Sequence, residues 1–163
     1  FAGGGAVKFV KDYQAAGLNK TIPLYGPGFL TDGTLDAQGE SAQGMLTTLH
    51  YADGLNTARD NAFRVGYAKA FKLQPDVYAV QGYDAAQMLA VGLAAAKGDI
   101  GKKAEFTAAI EKAKIDSPRG TFTMSKSHNP VQDIYLRKVD GKENKLVSTA
   151  IKGLADPARG CRM

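Results

Sequence analysis

At 163 residues, with 44% hydrophobic and 23% charged positions, the chain has the composition of an ordinary globular fold, which excludes the disordered and fibrous classes. Its net charge of +5, from 21 basic and 16 acidic residues, comes from lysines spread over several segments, so it lacks the basic stripe of a nucleic-acid binder. No run reaches the ~18 apolar residues of a membrane span, and a single cysteine, Cys161, with only His50 and His128 beside it, supplies neither an internal disulfide nor a zinc ligand set.

Helix and strand signals alternate along the chain, which is the pattern of an α/β layer fold. In the opening helix Ala6, Val10, Tyr13 and Gly17 keep three-to-four spacing, with Gly17 as the C-terminal cap. "TIPLYGPG" reads as a short buried strand, Ile22 to Tyr25, stopped by Gly26, Pro27 and Gly28, and a loop "FLTDGTL" follows. "MLTTLHY" reads as another strand.

From Asn56, the expected N-cap, "NTARDNAFRVGYAKAF" sets Phe63, Tyr67, Ala70 and Phe71 on one helical face. "DVYAVQGYDAAQMLAVGLAAAKG" should be a long, largely buried helix closed by Gly98, and a further helix near 102–114 should bury Phe106, Ala109, Ile110 and Ala113. "GTFTM", "DIYLRKV" and "KLVSTAI" are strand-like, the last two joined through "DGKEN", and the tail after Ile151 reads as irregular.

Several constellations invite a functional reading. "GGGAVKF" has neither P-loop nor dinucleotide spacing, but a glycine run entering a helix either forms a turn or cradles an anion with backbone N–H groups. "YGPGF" leaves the C-terminal end of a strand, where open α/β sheets bind ligands, and equally suits a tight turn. Tyr78 and Tyr83 project about 140 degrees apart on their helix and have the core as their default place. His50 and His128 stand at no catalytic spacing from a Ser, Cys or carboxylate. Asp84, in an apolar helical line, needs a partner, expected to be neighbouring backbone. No nucleophile, metal centre or cofactor loop emerges, and the sequence reads as a binder, not an enzyme.

Together, "FAGGGAVKFVKDYQAAGL", "IPLYGPGFLTDGTL", "GESAQGMLTTLHY", "PDVYAVQGYDAAQML" and "SPRGTFTMSKSHNPVQDIYLRKV" resemble the C-terminal part of a type I periplasmic solute-binding protein. The subgroup is that of the branched-chain amino-acid and amide ABC transporters, with relatives that bind aromatic carboxylates. The resemblance implies an α/β fold of two doubly wound lobes joined by hinge strands and closing on a ligand, with the N-terminal half absent here. On that pattern 1–46 belong to lobe 2, 47–50 form a hinge strand, 51–124 are the helical part of lobe 1, and 125–163 hold the return crossing, C-terminal strands and tail. The resemblance further implies a periplasmic parent, although this chain carries no signal peptide, and an ABC permease as partner. A fragment of such a fold is expected to self-associate or to pair with its missing half, and Cys161 is a candidate to pair with a cysteine there.

Carried over position by position, Ala2, Gly3 and Gly4 match a ligand-contacting loop, Gly28 matches the place where amino-acid-binding relatives carry a carboxylate for the ligand's ammonium, and Tyr78 matches a pocket aromatic. Without a carboxylate at 28 an ammonium would lose its charge-assisted partner, whereas small residues at Ala2, Gly3 and Gly28 leave room for a ring against Phe29 and Tyr78. The expected ligand is therefore an aromatic or other bulky carboxylate, held by hinge closure without cofactor or bond making. A branched-chain amino acid or amide ligand, and a sensor domain of the same fold, are the alternatives.

Overall fold

Two units make up the computed structural model, which describes residues 2–160. In chain order the elements are α1 (Gly3–Ala15), β1 (Tyr25–Pro27), α2 (Leu35–Gln38), β2 (Leu46–Leu49), α3 (Ala58–Phe71), α4 (Val77–Ala95), α5 (Lys103–Glu111), β3 (Thr123–Met124), β4 (Pro130–Asp140) and β5 (Glu143–Leu154). The first unit runs to Leu55 and takes in Ile134–Ile151; the second is Asn56–Asp133 with the residues from Lys152 onward.

In the first unit α1 buries Ala6 and Val10, one turn apart, as its spacing requires. They enter an apolar cluster with Leu30, Ala42, Met45 and Val139, flanked by Phe9, Leu24 and Leu35. Burial of each large member contributes on the order of 1.5–3 kcal/mol. The helix stops where the Gly17 N–H donates to the Gln14 carbonyl at 2.8 Å, and the Tyr13 hydroxyl ties the turn down by donating to the Ile22 carbonyl.

The sheet of this unit runs β1, β2, β4, with β5 paired to β4. β1 lies parallel to β2, Tyr25 opposite Leu46, and β4 lies antiparallel, Leu46 opposite Lys138. The strand expected at Ile22–Tyr25 in fact begins at Tyr25 and includes Gly26 and Pro27. The Ile22 N–H is spent on the Leu18 carbonyl, and Pro23 has no N–H, so no ladder starts there. Pro27 is tolerated because β1 is an edge strand.

The expected loop "FLTDGTL" is structured and inward-facing instead. A 3-10 turn, Gly28–Leu30, leads to α2, and Leu30, Thr31, Asp32 and Thr34 are all buried. The Thr31 and Asp32 N–H groups both donate to the Gly28 carbonyl at 2.9 Å.

In the second unit α3 is capped by Thr57, whose hydroxyl accepts from the Asp60 N–H at 3.0 Å; the expected cap Asn56 instead takes φ 56° and stands outside the helix. Asp76 caps α4 by accepting from the Ala79 N–H. α4 is less buried than its apolar sequence suggests: Val77, Val80, Asp84 and Gly92 are inside, whereas Leu89 is 52% exposed. Among the described residues only one line of this helix is covered. α5 ends at Glu111, short of the expected 114, and its Phe106, Ala109 and Ile110 are half-buried, with buried Ala113 just beyond it. α4 and α5 meet where Gly92 faces the Phe106 ring. β3 pairs with the start of β4, Thr123 opposite Val131. The segment expected to be irregular after Ile151 continues β5 to Leu154. Cys161 lies outside the described residues.

Candidate functional site

The glycine run is the N-terminus of a 13-residue helix, so by helical geometry its first N–H groups lack intrahelical acceptors and carry the positive end of the dipole. Among the described residues, Ala2 at the N-cap has no side-chain acceptor, and the first turn holds no acidic residue. Gly3 takes φ +53°, a left-handed conformation that strains any residue with a Cβ. Around Gly3 and Gly4 a Cβ would meet nothing within 4 Å, so the helix end is sterically open.

α1 packs on the 3-10 turn that carries Gly28 and Phe29, which brings five of the six candidate residues onto the first unit. Phe29 is 44% exposed. Gly28 does not behave as expected. It is buried, and a Cβ there would stand 2.7 Å from Leu49 Cδ2 and 2.8 Å from Arg137 Nη2. The missing side chain makes room for the unit's own interior, not for a ring.

Behind Gly28 lies an ion pair that sequence reasoning missed. Arg137 is fully buried and grips Asp32 through a fork, Nη1 to Oδ1 at 3.2 Å and Nη2 to Oδ2 at 2.6 Å. Its Nε and Nη2 also donate to Thr47 Oγ1, and Nη1 donates to the Tyr51 carbonyl at 3.1 Å. These five bonds equal the five N–H donors of a guanidinium, so none remains for a ligand. A signal was present in the alternation of "DIYLRKV", which sets Arg137 on the same strand face as Tyr135 and Val139 while Lys138 takes the other, and a basic residue on an apolar face needs a buried acid.

Tyr78 lies in the second unit, in the first turn of α4, and is 44% exposed. Tyr83 packs against Phe63 with centroids 5.1 Å apart and under the Arg59 guanidinium at 5.0 Å. Asp84 is held by side chains rather than by backbone: Arg119 Nε donates to its Oδ2 at 2.7 Å and Ser117 Oγ at 2.9 Å. His128 is exposed and pairs with Glu111 at 2.9 Å. Two grooves open on this unit, one of about 330 Å3 along Phe63, Tyr67 and Phe71, the other of about 450 Å3 beside Phe122 and Val131, and neither includes a candidate residue. Among the described residues no group of three or more His, Cys, Asp or Glu could hold a metal, and no helix is long and apolar enough to cross a membrane.

Comparison with known proteins matches residues 1–144 to the family described as periplasmic binding protein. A curated relative, Leu/Ile/Val-binding protein homolog 6 of Brucella abortus (strain 2308), is 33% identical over 138 residues, covering 80% of this chain and 35% of its own. A solute-binding protein of an ABC transporter from R. palustris, solved with benzoate, is 48% identical with a TM-score of 0.92, over 100% of this chain and 45% of that one. Another, from Rhodopseudomonas palustris BisB5 with 3,4-dihydroxybenzoic acid, is 29% identical with a TM-score of 0.82, over 97% of this chain and 45% of that one. The chain thus spans about a third of the curated relative and under half of these solved structures. Its mixed α/β architecture is a partial type I periplasmic binding fold.

Proposed function

We propose a function from the premise that this chain belongs to the periplasmic binding protein family: it is part of an extracytoplasmic solute-binding protein that captures an aromatic carboxylate by hinge closure and delivers it to an ABC permease. The observation that carries this reading is the likeness, over the whole chain and at 48% identity, to a solute-binding protein in complex with benzoate. The local chemistry supports it. The open, uncapped N-terminus of α1 offers N–H donors and a positive dipole end to a carboxylate, with Ala2, Gly3 and Gly4 imposing little bulk. Phe29 supplies an exposed aromatic face for a ring on the first unit, with the Gly28 backbone beside it, and Tyr78 is an exposed aromatic of the second unit. No step in this role makes or breaks a covalent bond, and no cofactor enters it.

A branched-chain amino acid is the second reading, favoured by the 33% identical Leu/Ile/Val-binding homologue. None of the six candidate residues is acidic, so none of them would pair with an amino acid's ammonium group. Thermal unfolding of the full-length protein carrying this sequence separates the readings, with benzoate, 4-hydroxybenzoate, leucine and isoleucine as probes. A ligand at a hundredfold excess over its Kd stabilises by about 2.7 kcal/mol. Stabilisation by the benzoates alone is the expected result; stabilisation by leucine or isoleucine alone would overturn the aromatic assignment.

A further inference from the structure

We propose that Arg137, which nothing in the family resemblance assigns to the site, is a positioning residue for ligand selection: its buried guanidinium holds the Gly28–Phe29 turn from behind and keeps position 28 free of a side chain. The inference rests on the reading of the site as one for an aromatic carboxylate.

The direction of the missing side chain carries the argument. A Cβ on Gly28 would point inward, 2.8 Å from Arg137 Nη2 and 2.7 and 2.8 Å from the two Leu49 methyls. A carboxylate introduced at 28 on this backbone would extend toward the guanidinium and compete with Asp32, so it would be spent inside the unit instead of meeting a ligand's ammonium. Arg137 itself offers a ligand nothing. Its five N–H groups are committed to Asp32, Thr47 and the Tyr51 carbonyl, and its charge is matched by Asp32.

The same guanidinium fixes the turn. Asp32, forked on Arg137, donates its own N–H to the Gly28 carbonyl, as does Thr31, whose hydroxyl in turn donates to Asn144 Oδ1 at 2.7 Å. The half-exposed Phe29 ring thus sits on a turn clamped to β2 through Thr47 and to β4 through Arg137. A lysine at 137 keeps a positive charge but loses the planar fork, and with it the simultaneous hold on Asp32, Thr47 and Tyr51.

Calorimetric titration of the full-length protein with benzoate and with leucine tests the proposal, because it reads the Kd and the binding-competent fraction separately. For Arg137→Lys, benzoate Kd is expected to weaken about tenfold or more at unchanged stoichiometry. Its effect on Kd should be non-additive with that of Gly28→Ala, since the two positions touch. A lower stoichiometry at wild-type Kd would show a purely structural pillar and overturn the proposal, as would a wild-type Kd at wild-type stoichiometry. If Arg137→Lys does not fold, Asp32→Asn, which keeps size but replaces one of the two accepting oxygens with a donor and removes the fork's charge, is read by the same criteria. Wild-type protein that binds leucine and not benzoate, or neither, overturns the carboxylate reading and this inference together; wild-type benzoate binding with an indifferent Arg137 overturns this inference alone.

Discussion

Gly28 and Arg137 are in such close apposition that a single added carbon on the glycine would stand 2.8 Å from the guanidinium Nη2. The guanidinium cannot step aside without giving up bonds to Asp32 and Thr47. Gly28→Ala should therefore cost about 1–3 kcal/mol, the range for overpacking a filled interior. In urea denaturation this appears as a lower midpoint at unchanged slope. An alanine variant as stable as wild type would mean that Leu49 and Arg137 yield at no cost.

The second unit has its own buried pair. Asp84 and Arg119 side chains are 6% and 8% exposed and meet at 2.7 Å. Arg119→Met should destabilise by about 3–5 kcal/mol because it strands a desolvated carboxylate, whereas Asp84→Leu combined with Arg119→Met should recover most of the loss. Comparing the single and double variants by chemical denaturation checks this, and equal losses in both would refute it.

α4 and α5 are keyed by a glycine. A Cβ on Gly92 would lie 2.7, 2.8 and 2.9 Å from three atoms of the Phe106 ring. Gly92→Ala is expected to push α5 away and cost roughly 1–3 kcal/mol, even though alanine favours a helix more than glycine does. Phe106→Leu in the same chain should return part of the loss. Amide exchange in α5 would report the loosening directly.

The β4–β5 turn carries an exposed pair with a definite pH signature. A hydrogen bond and then the charge of Lys145 hold the Asp140 carboxyl below its ordinary value of 3.8, and the same bond and then the charge of Asp140 hold the Lys145 ammonium above 10.5. For Asp140 the folded value is depressed, so its contribution is present above about 3.8 and is lost as pH falls through the lower folded value. For Lys145 the folded value is raised, so its contribution is present below 10.5 and is lost as pH rises through the higher folded value. Lys145→Met should remove a small, salt-screened stabilisation across that window and leave the acid and alkaline extremes unchanged. Unfolding of wild type and variant across pH, at low and high salt, reads the difference.

Along its own length, the sequence already determined most of the local elements. Apolar spacing set the buried face of α1 at Ala6 and Val10, and apolar, β-branched content marked β2 in "MLTTLHY". Glycine and proline placed the stops, and the strand pair around "DGKEN" was legible from its turn chemistry. Two of the boundaries moved for reasons of hydrogen bonding: Pro23 delayed β1, and the Thr57 hydroxyl took the cap from Asn56. Of the candidate site, the glycine entry to α1 and the glycine-bearing turn at 28 could be read in order, because a glycine run entering a helix and a glycine–proline stop after a strand have local signatures. What tertiary structure alone decided was which charges lie inside. Asp32 looked like a loop residue until Arg137, 105 positions later, arrived behind it, and Asp84 found Arg119 35 positions on rather than nearby backbone. The chain's spacing is blind to such partners. A buried charge is tolerable only where folding delivers an opposite one with the right geometry, and that pairing turned Gly28 from an apparent space for ligand into a space for arginine.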